Sequence, residues 1–215
     1  MIISWYGQAC FKIQSGEKAL ILDPFEKSIG LTPPTVSADI VAVTHDHKDH
    51  NNFQTVKGEY FLINSPGEYE IKGVKIAGIP SFHDNEKGAK RGLNTMYLIE
   101  FEGMRVLHMG DFGQDSLEDK QSELLGTVDI LMVPVGGTFT IDAKGAVGII
   151  NQIEPKIVIP MHYKISKLTI SELDGVDKFI KEFGGEDVSP QDKLTIKQKD
   201  LGGEDDNMKL VILKV

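Results

Sequence analysis

The chain has 215 residues, a formal net charge of −9, 40% hydrophobic and 26% charged residues, values that suit a single globular domain spanning 1–215. No run of 18 or more apolar residues marks a membrane span, and the start MIISWYGQACFKIQSG lacks the basic, apolar and small-residue pattern of a secretory signal. The one cysteine, Cys10, cannot close an internal disulfide and reads as a small core residue, so a cytoplasmic protein is expected; the acidic balance argues against a surface that grips nucleic acid through phosphate contacts.

Short β segments punctuated by Gly, Pro, Asn and Asp fill the first half, at residues 1–6, 9–14, 18–23, 39–43, 59–63, 74–79, 94–101 and 104–109. The Glu102-Gly103 break between MYLIEF and MRVLHM predicts a tight hairpin. Residues 115–125 read as a short helix, and an apolar strand follows at 129–133. Asp142 can cap a helix in which Ala143, Ala146, Val147, Ile150 and Ile153 recur at helical spacing and which ends before Pro155. After the apolar run IVIP, a further helix is predicted from Ser171, with Leu173, Val176, Ile180 and Phe183 on one stripe and a stop at Gly184-Gly185. The polar stretch 201–207 reads as a turn before a last strand, MKLVILKV. There is no internal repeat and no interdomain linker. Strands in the first half and helices in the second suggest packed sheets with helices outside, an α/β (α+β) class.

The strongest chemical signal is Thr44-His45-Asp46-His47-Lys48-Asp49-His50, directly after the apolar segment Asp39–Val43. A loop that follows a buried strand can aim alternate side chains into one cavity, and imidazole nitrogen with carboxylate oxygen is the ligand set of zinc and neighbouring divalent metals. Two further phrases, RVLHMGD and KIVIPMH, also place a potential ligand just past an apolar strand. Separate strands thereby converge on one edge of a sheet pair.

On these residues the chain resembles the metallo-β-lactamase superfamily, whose signature is HxHxDH after a buried strand. The resemblance extends over residues 1 to about 163. The phrases WYGQACFKI, MVPVGGTFT and KIVIPMHY are similar to its compact branch of ascorbate-phosphate lactonase-like proteins, and the branch commonly carries histidine where this chain has Gln8. The resemblance implies a four-layer αββα sandwich. It implies one metal held by His45, His47 and His83, a second held by Asp49, His50 and His162, and a bridging Asp111. Asp23, in ALILDPF, matches an acidic position that would orient a ligand histidine, and His108 reads as a packed or orienting imidazole. Asp49 and Asp111 would carry the catalytic work.

The function implied is metal-dependent hydrolysis of a small anionic substrate, a phosphodiester or a lactone or other ester, by a hydroxide held between two divalent ions. Zinc is the first expectation, with manganese, iron or nickel as alternatives. A di-iron oxidoreductase on this fold usually carries glutamate where the chain has His47. A metal-stabilised binding protein without turnover would need a closed coordination shell. Lys87, Lys90 and Arg91, in a Gly-containing loop after His83, together with Gly137, Thr138 and Lys164, are candidates for holding an anionic group.

Overall fold

A computed structural model describes residues 1–185, 188–202 and 207–215; the centre of the turn expected at 201–207 falls outside these residues. The first sheet contains β1 (Ile2–Gly7), β2 (Cys10–Ser15), β3 (Lys18–Leu22), β4 (Ile40–Ala42), β5 (Phe61–Ile63) and β12 (Leu194–Thr195), in the order β12-β1-β2-β3-β4-β5. Its residues alternate as strand geometry requires. Ile3, Trp5, Phe11, Ile13, Leu20, Leu22, Ile40 and Ala42 enter the core shared with the second sheet. Cys10, Ala19, Ile21, Val41 and Val43 turn outward against Phe25, Ile29, Leu31 and Leu168. Burial on both faces explains why β3 and β4 read as unbroken apolar runs.

The second sheet contains β6 (Gly67–Ile71), β7 (Val74–Phe82), β8 (Leu93–Phe101), β9 (Met104–His108), β10 (Ile130–Pro134), β11 (Ile157–Met161) and β13 (Lys209–Leu210), in the order β13-β11-β10-β9-β8-β7-β6. Its first four strands form antiparallel hairpins, whereas β9, β10, β11 and β13 are mutually parallel. Parallel neighbours need crossovers, supplied by α1 (Asp119–Leu125) between β9 and β10 and by α2 (Ala143–Ile153) between β10 and β11. α3 (Val176–Phe183) packs on α2. The fold is the expected mixed α/β sandwich, with helices outside the second sheet and loops carrying 3-10 turns at Lys27–Ile29 and Phe53–Thr55 outside the first. No helix among the described residues is long and apolar enough to cross a membrane.

Local chemistry explains where these elements start and stop. Glu102 (φ 55°) and Gly103 (φ 72°) give the two-residue turn of the β8–β9 hairpin its left-handed conformation. Asp142 caps α2 by accepting from Gly145 N at 2.9 Å. The stripe predicted from Ser171 becomes helical only at Val176, because residues 171–174 are claimed by tertiary hydrogen bonds. Asp174 N donates to Gly136 O, and Lys164 N donates to Asp174 O, both at 2.9 Å. The helix expected at 115–125 likewise begins at Asp119, after Glu118 N donates to Gln121 Oε1. The last strand is shorter than predicted: Lys209 and Leu210 pair with β11, and Leu213 then bridges to Gln191. β6 was not anticipated, since Glu68 and Glu70 break the apolar pattern of this edge strand.

Candidate metal centre

The carboxyl ends of strands from both sheets meet at one edge, where open α/β sheets place their ligands. β3 ends at Leu22 and delivers Asp23; β4 leads through Val43 to Thr44–His50; β7 leads to His83, β9 to Asp111 and β11 to His162. Thr95 N donates to Thr44 O (2.9 Å), tying the motif loop to the opposite sheet. Three non-glycine residues here adopt left-handed backbone conformations, Gln8 (φ 50°), Asp23 (φ 44°) and His162 (φ 52°). Each costs on the order of 1–3 kcal/mol, and such residues cluster where the surrounding structure imposes a functional geometry.

All seven proposed ligands come together, in two adjoining groups. His45, His47 and His83 form one, and Asp49, His50, Asp111 and His162 the other; within each group the ligand atoms lie within 4.8 Å of one another. His45 Nε2 is 2.9 Å from His47 Nδ1. Asp111 stands between the groups, with Oδ2 3.2 Å from both His83 Nε2 and His162 Nε2, and Oδ1 3.2 Å from His50 Nε2. Asp49 Oδ2 lies 3.5 Å from His50 Nε2.

Asp23 orders the imidazoles from behind. It is fully buried and accepts from Thr44 N (2.8 Å) and Thr44 Oγ1 (2.9 Å), and it lies 3.0 Å from His50 Nδ1 and 2.8 Å from His108 Nε2. Because the Thr44 hydroxyl donates to Asp23, it must accept from His45 Nδ1 (2.9 Å), which leaves His45 Nε2 bare. His108 lies behind Asp23 and outside both groups.

These residues fit divalent metal. Three carboxylates, the buried Asp23 and Asp111 and the half-buried Asp49, face one another across imidazoles, and His50 Nε2 and Asp111 Oδ1, though 3.2 Å apart, are buried without hydrogen-bond geometry to any partner. The carboxylates also favour the protonated form of the histidines beside them, His50 and His162. Burial opposes it, but the Asp111, Asp49 and Asp23 carboxylates push His50 well up, and Asp111 pushes His162 up to about 9. Burial and the nearby His50 charge push His45 down to about 3. Asp111, against the effect of burial, is held well below the usual carboxylate range by His162 and His50. His45 thus offers a neutral imidazole while His50 and His162 favour positive charge beside them, a combination that suits divalent metal.

The candidate substrate contacts divide. Arg91, Gly137 and Thr138 line a cleft of about 380 Å³ that includes His83. Arg91 Nη2 donates to Thr138 O (2.9 Å), and its guanidinium lies 5.6 Å from the Phe139 ring centroid. Lys87, Lys90 and Lys164 do not line this cleft; Lys90 pairs with Glu86, and Lys164 Nζ donates to Ser171 O (3.2 Å). The loop folds around Asp84, a residue with no role in the sequence reading. Its carboxylate accepts from the backbone N–H groups of Glu86, Gly88, Lys90 and Arg91 at 2.8–2.9 Å, and against the effect of burial these bonds hold its pKa at about 2.

Asn94 was also missed: its Oδ1 accepts from Asp111 N (3.1 Å), and its Nδ2 donates to Met109 O (2.8 Å). Asn94, Thr44 and Asp84 belong to neither ligand group, and only adjacency to a ligand could have marked them. Glycine has its own task at the edge. A Cβ on Gly136 would lie 2.1 Å from His162 O. Gly136→Ala is therefore expected to displace the His162 backbone and to destabilise the protein by roughly 1–3 kcal/mol, as overpacked sites do, with weaker metal uptake. Calorimetry and metal titration check this; a variant with wild-type values in both would show that the loop relaxes freely.

A mixed sandwich with its histidine- and aspartate-bearing loops gathered at one edge defines a protein of the metallo-β-lactamase fold class. The profile of the Beta-lactamase superfamily domain matches residues 2–162, and the chain belongs to the metallo-β-lactamase superfamily. A UPF0173 metal-dependent hydrolase of Archaeoglobus fulgidus is 30% identical over 218 residues, covering 86% of this chain and 92% of that one. A structure from Thermotoga maritima, assigned to the Zn-dependent hydrolases of the superfamily, is 35% identical, with a TM-score of 0.79 over 99% of this chain and 97% of that one. The diiron β-hydroxylase CmlA of Streptomyces venezuelae shares the fold alone: identity is 13% and the TM-score 0.64, over 91% of this chain and 54% of that one.

Proposed function

We propose that the chain is a hydrolase that works with two divalent metal ions, zinc foremost, on a small anionic phosphodiester, lactone or other ester. The observation that carries this reading is Asp111, whose two oxygens face histidines of both groups at 3.2 Å. Such an ion pair, when bound, supplies a water acidic enough to act as nucleophile near neutral pH and Lewis acidity for the developing oxyanion. His45, His47 and His83 would hold one ion, Asp49, His50 and His162 the other, and Asp111 would face both. Asp23 orients His50 directly and His45 through Thr44. Hydrolysis of an anionic lactone or phosphodiester accords with the resemblance to the compact lactonase-like branch and with Arg91 in the cleft beside His83.

Elemental analysis of metal-reconstituted protein is expected to give about two ions per chain, and one or fewer would remove the two-ion reading. Arg91→Ala is expected to lower kcat/KM on an anionic phosphodiester by roughly tenfold, the value of a charged hydrogen bond discounted for partial exposure. A matched neutral ester should be nearly unaffected. Equal losses on both compounds would leave Arg91 only its contacts with Thr138 and Phe139.

A further inference from the structure

Gln8 lies in the turn between β1 and β2, at a left-handed φ of 50°, and is fully buried. Its backbone carbonyl accepts from Trp5 Nε1 (2.9 Å) and from His162 N (3.1 Å). Its side-chain Nε2 lies 3.0 Å from Asp49 Oδ2 and 3.1 Å from His162 Nε2, two members of the second ligand group. Amide nitrogen and oxygen have nearly the same shape, but turning this amide over would set Oε1 against the Asp49 carboxylate, two acceptors with no proton between them. With the nitrogen toward Asp49, Oε1 is buried without a partner. A side chain kept for packing alone would avoid an unpaired buried acceptor, since an apolar one of equal length fills the same volume without it.

Asp49 needs an anchor. It sits in a loop with no helix or strand, and its side chain is 19% exposed, more than those of its partners His50, Asp111 and His162. Gln8 is the one donor to its carboxylate, among the described residues, that is not a candidate ligand. We infer that Gln8 is a positioning residue of the metal centre: its carboxamide holds the Asp49 carboxylate toward the second ligand group, from a strand turn that supplies no ligand of its own. The inference rests on the two-ion reading above.

Gln8→Met keeps the side-chain length and removes both the donor and the unpaired acceptor. Demetallated wild-type and variant proteins are titrated with Co²⁺, followed by visible absorption and calorimetry, and the unfolding temperature of each metal-free protein is measured. The first Co²⁺ is expected to bind the variant as it binds wild type, and the second at least roughly tenfold more weakly, the usual effect of losing a hydrogen bond to a ligand. The metal-free variant should unfold at the wild-type temperature or above it. Two ions bound as in wild type would overturn the inference. So would a lowered unfolding temperature with both ions weakened together, which would reduce Gln8 to a packing role. A wild-type protein that takes no second Co²⁺ defeats the two-ion reading itself, and the inference with it, before the variant is examined.

Discussion

Asp111→Asn is expected to cut hydrolysis by roughly 10²- to 10³-fold and to weaken uptake of the second ion. The carboxylate offers two anionic oxygens, one facing His50 and the other facing both His83 and His162. The amide offers one neutral oxygen and a nitrogen whose protons would point at a cation. The several kcal/mol that a metal site contributes to transition-state charge stabilisation depend on that placement, and each 1.36 kcal/mol is a factor of ten in rate. The size and shape of the side chain are preserved, so folding should survive. Steady-state kinetics with metal analysis check the prediction, and wild-type turnover at full metal content would show that Asp111 does not stand between two ions.

Asp23→Ala should have the largest effect on stability. The substitution leaves Thr44 N, Thr44 Oγ1, His50 Nδ1 and His108 Nε2 without their common acceptor in a site closed to water. Removing one partner of a buried charged network costs about 3–5 kcal/mol. In a domain of this size that corresponds to roughly 6–20 °C in unfolding temperature. Burial raises the Asp23 pKa, but the charge of His50 and the hydrogen bonds from His108 and His50 outweigh it and hold the group well below the usual range. A depressed folded-state pKa means that this stabilisation is present above the unfolded carboxyl value, about 3.9, and is lost as pH falls below it. Wild type should therefore lose stability on acidification below about pH 4 more steeply than the variant. Calorimetry in chelator across that range checks both parts, and parallel curves would show that folding does not depress the Asp23 pKa.

Much of this centre was legible because metal ligation needs particular side chains in particular places. Imidazoles and carboxylates just past apolar strands marked His45, His47, Asp49, His50, Asp111 and His162, and the strand period behind them is the one observed. The loops were less legible. Lys87, Lys90 and Arg91 are alike as charges in the sequence, yet only Arg91 lines the cleft, because Asp84 winds the loop backbone around itself and Glu86 takes Lys90. Residues 171–174 have the spacing of a helix start but are bound to Gly136 and Lys164, contacts distant in the chain. The work of Gln8, Thr44 and Asn94 likewise depends on which neighbour the fold brings within 3 Å or so, and no local pattern encodes that.

The two ligand groups draw on both sheets: His45, His47, Asp49 and His50 extend from the first, and His83, Asp111 and His162 from the second. A cation seated among them would rivet the open edge of the sandwich, since the sheets could not part there without stripping it of ligands. Ion release and the opening of that edge would then be coupled, and the lifetime of the native state would depend on how tightly the centre is filled as well as on the apolar core beneath it.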